Sequence, residues 1–281
     1  MICKRILPAV ELRGFIREYM LMYYNFDCRL EMMPPRAYPV NPEEAIRFLI
    51  KGKLWAENPA VGTKQQLPVI SIIGQPTYRL NLFISPEYLM LYVRFQPGML
   101  FKLLKIPMTM LLDQHIDASC ILGTEINEVY EQMGECTSYD GMLQIINNYF
   151  IKKFNRLKND SRPIDVTGKL ILQNPQAFNL EKTAREACLS NRQFEKRFEQ
   201  LIGITPKYFA RICRFYQAYV LKESHLELDW LSIAVQTGYH DYQHLVKDFK
   251  TFAGTTPNIL IDQCLNNPLQ RLAYSAGFRG C

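Results

Sequence analysis

The densest run of reactive side chains lies near the C-terminus. His240-Asp-Tyr-Gln-His244 sets two imidazoles four residues apart with a carboxylate between them. That is close to the H-E-x-x-H spacing that holds zinc on one helical face. The Asp is one methylene shorter than the Glu of that pattern, and Asp241 stands where a helix needs its cap. The histidines are therefore read as facing a base or a phosphate, and no metal is expected. Two further sets carry donors and acceptors. Arg192, Glu195, Lys196 and Glu199 share one helical face, and Tyr242, Gln243, Val246, Lys247 and Lys250 share another. Arg and Lys can donate to guanine O6 and N7, Gln can pair with adenine, and Glu can accept from cytosine. The mix suits base edges in a major groove.

Other reactive groups stay dispersed. No two of the eight cysteines lie within six residues of each other, so there is no CxxC pair for metal or redox work. The thiols are read as reduced and buried, with Cys188 and Cys213 at helical-core positions. His115 is the one histidine of the N-terminal half and is placed after the strands as a structural residue; a metal triad needs more. Gln96-Pro-Gly98 lacks the lysine and glycines of a phosphate loop. Arg36, Arg47 and Arg94 have the chemistry of an anion pocket but are read as solvated surface groups.

The two polar faces need elements to hold them, and the sequence supplies those elements twice. Phe194, Phe198, Gly203, Thr205 and Pro206 recur 51 residues later as Leu245, Phe249, Gly254, Thr256 and Pro257, which marks a duplicated helical unit. In the first copy Leu180 to Ala187 is a short helix and Cys188-Leu189 a turn. Ser190 with Gln193 forms a capping box, and Gly203 ends the second helix. In the second copy Asp229 caps Trp230 to Gln236, Gly238-Tyr239 turns, Asp241 caps Tyr242 to Phe252, and Gly254 closes it. Thr205-Pro206 and Thr256-Pro257 each begin another helix. Phe194, Phe198 and Leu201 point inward in the first copy, as do Leu245, Phe249 and Phe252 in the second. Two short helices about a tight turn make a helix-turn-helix unit.

Charge supports a polyanion partner. The net charge is +6, and the stretch Lys182–Lys222 holds nine basic and three acidic residues. The first hundred residues read as short strands at Ala45–Ile50, Val69–Ile73, Arg79–Phe83 and Tyr88–Phe95, which argues for a sandwich or barrel. Helical spacing follows after Gly98, ending in Met142 to Phe154. Arg156 to Pro163 is the expected boundary. No apolar run approaches the roughly 20 residues of a bilayer span, and the N-terminus has no signal h-region, so a soluble, cytoplasmic protein is expected.

Residues 178–260 resemble the DNA-binding domain of the AraC/XylS family of bacterial transcription regulators. The likeness rests on Ile233-Ala234, Gly238-Tyr239-His240-Asp241, Leu245-x-Lys247-x-Phe249-Lys250 and Gly254-x-Thr256-Pro257. It rests also on Ala184, Ser190, Phe194, Arg197-Phe198, Gly203 to Pro206 and Tyr208, and on Arg214, Ala218 and Leu221 in the connecting helix. Tyr239 stands where Phe is usual and Lys247 where Arg is usual; Lys lacks the bidentate fork, which softens base discrimination there. The resemblance implies two motifs, joined by one long helix, in successive major grooves of double-stranded DNA. It implies that Arg192, Glu195 and Lys196 read bases in the first motif, and Tyr242, Gln243 and Lys247 in the second. Tyr92-Val-Arg-Phe95-x-Pro97-Gly98 is similar to the N-terminal domain of a subgroup of these regulators common in Bacteroidetes. In the wider family that region is a sensing or dimerising module, often a cupin-like barrel.

The expected fold is thus α+β. A β-rich, cupin-like sensing or dimerisation domain with trailing helices (1–158) precedes an all-α domain of two helix-turn-helix motifs joined by a long helix (162–260). A tail (261–281) follows. The expected partners are double-stranded DNA, an unidentified small-molecule effector and a second copy of the chain, without membrane, cofactor or catalysis. Two alternatives stay open: a ligand-binding enzyme domain fused to a DNA-binding module, and a DNA repair methyltransferase.

Overall fold

Period-two alternation builds the first half of the molecule. The computed structural model describes residues 2–26, 30–157 and 162–266. Among these residues ten strands form two antiparallel sheets: β1 Ile2–Ile6, β2 Ile16–Asn25, β3 Arg36–Tyr38, β4 Ala45–Lys51, β5 Leu54–Asn58, β6 Thr63–Gln66, β7 Ile70–Ile73, β8 Leu80–Ile84, β9 Glu87–Phe95 and β10 His115–Asp117. The large sheet runs β1-β2-β9-β4-β7-β10 and the small one β3-β8-β5-β6. In β9, Leu89, Leu91, Val93 and Phe95 face one way and Tyr88, Met90 and Tyr92 the other. The first set packs under helices α1 Met99–Leu104, α2 Ser119–Leu122, α3 Glu125–Glu135 and α4 Tyr139–Asn155. The second set faces the small sheet. The layers are therefore small sheet, large sheet, helices.

The second half is helical. It contains α5 Thr167–Gln173, α6 Leu180–Glu186, α7 Asn191–Ile202, α8 Pro206–Ser224, α9 Trp230–Gln236, α10 Tyr242–Ala253 and α11 Pro257–Asn266. The long helix α8 lies at its centre, with Phe209, Ile212, Phe215, Ala218 and Tyr219 buried. At 1.5 Å per residue it spans about 28 Å.

Four expectations need correction. The tail was placed from residue 261, but α11 continues to Asn266, and Ile261 and Cys264 sit in the helical core. Their apolar side chains continue the buried face begun by Leu260. Residues 267–281, Cys28 and half of the boundary stretch (158–161) lie outside the described residues. His115 does not follow the strands: it opens β10, opposite Ile73. Cys120 and Cys188 are exposed rather than buried, whereas Cys3, Cys213 and Cys264 are buried. Cys188 is at the surface because it occupies the tight turn before α7, in the left-handed region at φ +56°.

The arginines are the fourth correction. Arg47 and Arg94 are each 3% exposed, so neither is a solvated surface group. Arg94 donates to Glu18 at 2.9 Å and lies 3.7 Å from Glu43. Arg47 donates to Ser71 Oγ at 2.7 Å. Their alternation in β4 and β9 turns them between the two sheets, where partners from other strands receive them.

The halves are also joined. Ala37 and Val40 belong to the helical core although Ala37 lies within β3 and Val40 just after it, in the first half. Val40 N–H donates to Phe252 O at 2.9 Å, and Arg79 donates to Ala253 O at 3.1 Å. These two bonds satisfy carbonyls at the C-terminal end of α10, which the helix itself leaves open. At the other motif, Gly98 lies against Leu201 and Ile202 of α7, and Lys102 pairs with Asp165 at 2.6 Å. Glu44 accepts from Gly98 N–H at 3.0 Å, and burial pushes its carboxyl up to about 8.

Candidate nucleic-acid interface

Each copy of the repeat folds as two helices about a turn with the same hydrogen bond. Leu189 N–H donates to Ala184 O at 2.9 Å, and Tyr239 N–H donates to Ala234 O at 2.8 Å. The residue before each donor is left-handed: Cys188 at φ +56° and Gly238 at φ +75°. Ala184 and Ala234 are buried, because only a small side chain lets the two helices cross closely. The turn residues are offset by 50 and the caps, Ser190 and Asp241, by 51. The second turn therefore holds one additional residue, His240.

Caps fix where each second helix begins. Ser190 Oγ accepts from Gln193 N–H at 3.3 Å while Gln193 Oε1 accepts from Ser190 N–H at 3.1 Å, the reciprocal capping box. Asp241 Oδ1 accepts from His244 N–H at 2.8 Å. Asp229 accepts from Leu231 and Ser232 N–H, both at 2.9 Å, at the start of α9. Gly203 and Gly254 end the second helices in left-handed conformation, as the sequence suggests. Replacing Ser190 by alanine is expected to cost about 1 kcal/mol in a denaturant melt and to fray the turn that carries Arg192. An unchanged melt would show that the box contributes nothing.

The apolar faces are buried as expected: Phe194, Phe198, Leu245, Phe249 and Phe252 are fully inaccessible. Arg192 and Lys196 are exposed on α7, one turn apart. Glu195 and Glu199 are half-buried, so they flank that face rather than share its centre. Tyr242, Gln243 and Lys247 are exposed on α10. Among the described residues, none of the six side chains Arg192, Glu195, Lys196, Tyr242, Gln243 and Lys247 makes a hydrogen bond or ion pair. Their donors and acceptors are available to a partner.

His240, Asp241 and His244 come together, with ligand atoms within 4.8 Å of one another. His240 Nδ1 is 3.4 Å and His244 Nδ1 3.5 Å from Asp241 Oδ2. The cluster lies at the surface, and the other Asp241 oxygen is held by the helix cap. The spacing set aside for zinc thus does gather three ligand-bearing side chains.

One organising residue escaped the sequence reading. Asp248 is 4% exposed and accepts from Arg211 of α8 at 2.7 Å and from Tyr239 Oη at 3.0 Å. Arg214 of α8 is 3.8 Å away and lies over the Tyr239 ring at 4.6 Å. One carboxylate therefore ties the linking helix, the second turn and α10 together. Burial and the Asp248 charge hold the Tyr239 hydroxyl well above its usual range. The signal was present as an acid on the inward face, three residues after Leu245.

Residues 183–263 match the family profile described as a helix-turn-helix domain. A curated relative from Haemophilus influenzae, described as an uncharacterized HTH-type transcriptional regulator, is 34% identical over 90 residues. The match covers 31% of this chain and 30% of that protein, so the chain aligns with under a third of the relative's length. Among solved structures, ToxT from Vibrio cholerae aligns over 87% of this chain and 98% of its own, at 11% identity and TM-score 0.48. The DNA-binding domain of AdpA, in complex with a target DNA, aligns over 39% of this chain and 99% of its own, at 24% identity and TM-score 0.36. No helix among the described residues is long and apolar enough to cross a membrane.

Proposed function

We propose that the chain is a sequence-specific DNA-binding transcription regulator of the AraC/XylS type. One observation carries this reading: two capped helix-turn-helix units share α8, and each presents a second helix whose outer polar side chains have no partner among the described residues. Arg192, Glu195 and Lys196 read bases in one major groove, and Tyr242, Gln243 and Lys247 in the next. Groove centres on one face of DNA recur every ~34 Å, close to the reach of α8 plus its flanking helices. His240 and His244, beside the start of α10, face the backbone or a base there.

The β-rich half is the controlling module, of the kind found in the Bacteroidetes subgroup. It receives a small molecule between its sheets and offers a surface for a second copy of the chain. It acts through the contacts at Val40, Arg79 and Gly98 rather than through a loose tether. The protein works in the cytoplasm, where its duplex is, and it transmits binding without catalysing a reaction.

The full chain should therefore bind duplex DNA without added metal. Its affinity should fall by orders of magnitude between about 50 and about 200 mM salt through counterion release. The check is a titration of fluorescent duplex over that range. Salt-independent binding, or equal affinity for every sequence, contradicts the reading.

A further inference from the structure

The second turn carries a cluster that the first does not. Its additional residue, His240, stands beside the cap Asp241 and four residues before His244. In the first motif Ser190 stands in the place of Asp241 and Gln193 in the place of His244, and nothing corresponds to His240. The longer turn is therefore what completes the set. Among the described residues these side chains are the one group of three or more His, Cys, Asp or Glu that brings its ligand atoms within 4.8 Å of one another.

Their spacing is close to what a metal ion needs. Asp241 divides its oxygens. Oδ1 accepts from His244 N–H at 2.8 Å and caps the helix. Oδ2 is outside the cap, 3.4 Å from His240 Nδ1 and 3.5 Å from His244 Nδ1. Ligand atoms on a tetrahedral zinc ion lie about 3.3–3.5 Å apart, given metal–ligand bonds of about 2.0–2.2 Å. The third separation, between the imidazoles, closes by rotation of His240, whose side chain is 88% exposed and free to turn. Among the described residues neither imidazole has a polar partner besides Asp241. Two imidazoles and a carboxylate suit zinc, cobalt, nickel and copper, whereas magnesium and calcium prefer oxygen ligands throughout.

We propose that His240, Asp241 and His244 bind one divalent transition-metal ion, of the zinc and cobalt class, at the start of α10. Three protein ligands leave the fourth position of the tetrahedron open. The cluster lies at the surface beside the exposed Tyr242 and Gln243, on the side that the DNA-binding reading assigns to the duplex. A phosphate oxygen is the anionic ligand available there, and it would take the fourth position. The ion then joins α10 to the DNA backbone. This second step rests on the DNA-binding reading; the ion site itself does not. Metal and duplex should tighten each other by the same factor.

The test uses the full chain without an affinity tag. Zinc and cobalt(II) are titrated by calorimetry, with magnesium as the control. One zinc per chain should bind at this site, and magnesium should not compete. Cobalt(II) held by nitrogen and oxygen lacks the ultraviolet band of a thiolate complex, which separates this site from the exposed Cys120 and Cys188. His240→Ala and His244→Gln should each weaken zinc by about tenfold or more, since even loss of a supporting partner costs about 10–100-fold. Asp241→Asn should do the same while keeping the helix cap, because Asn caps as well as Asp. The metal-free melts of all three variants should stay near the parent. No zinc binding, cobalt held by thiolate alone, or an affinity indifferent to all three substitutions would overturn the site. Saturating zinc should also tighten duplex binding by the parent about fivefold or more, and His240→Ala should lose that gain. Zinc that depends on the three residues yet leaves duplex affinity unchanged would uphold the ion site and overturn the phosphate link. A chain that binds zinc but no duplex, with or without the ion, would overturn the DNA-binding reading and uphold the ion site.

Discussion

Phe198→Ala should remove about 3–5 kcal/mol of stability, a large share of the roughly 5–15 kcal/mol that holds a typical domain together. Phe198 is fully buried, with ring centroids 5.8 Å from Phe194 and 5.7 Å from Phe209. It joins the second helix of the first motif to the start of α8. Alanine leaves a cavity that α7 and α8 cannot close without shifting Gly203, where even a methyl group would stand only 3.0 Å from Met108 O. Packing against the β-domain prevents that shift. A urea melt should show a lower midpoint, and DNA binding should fail under conditions where the variant unfolds. A variant with parental stability would mean that α7 faces the other way.

Asp248→Ala should cost about 2–3 kcal/mol, and its effect should be local. Breaking a fully buried ion pair costs more, but Arg211 is 43% exposed and can turn to water. The loss falls on Tyr239 Oη and Arg214, which remain packed without their acceptor. Asp248→Asn should be milder, since the amide oxygen can still accept from Tyr239. The second turn and α10 should loosen while the first motif keeps its shape. Hydrogen exchange should therefore rise at 238–253 and not at 190–202. Equal exchange in both motifs would mean that Asp248 supports the whole helical half.

The helical motifs were legible because their signals are local. Ser190 with Gln193, Asp229, Asp241, Gly203 and Gly254 each act within four residues of where they stand, so a one-dimensional reading finds them. The strands were legible only in part. In β2, Tyr19-Met-Leu-Met22 is buried on both faces, so alternation vanishes from the sequence. In β6, Thr63–Gln66 is exposed on both faces and carries no apolar signal. The arginines of β4 and β9 were misread for a different reason. Their partners are distant in sequence: Ser71 lies 24 residues from Arg47 and Glu18 lies 76 from Arg94. Nothing near either arginine announces its burial. The same holds for Val40 and Arg79, whose bonds to α10 cross the two halves.

Base reading is the central claim, and selection from a random duplex pool tests it most directly. The full chain, Arg192→Ala and Lys247→Ala would each be carried through selection and sequencing, with a thermal melt of each protein. The parent should enrich two conserved blocks about one helical turn apart. Arg192→Ala should relax one block at a cost of about 1–3 kcal/mol on the parental site, and Lys247→Ala should relax the other. Both melts should stay near the parent, because both side chains are exposed. If instead both variants lose affinity for every sequence equally and keep both blocks intact, these residues hold phosphates, and the assignment of α7 and α10 as base readers through them is wrong.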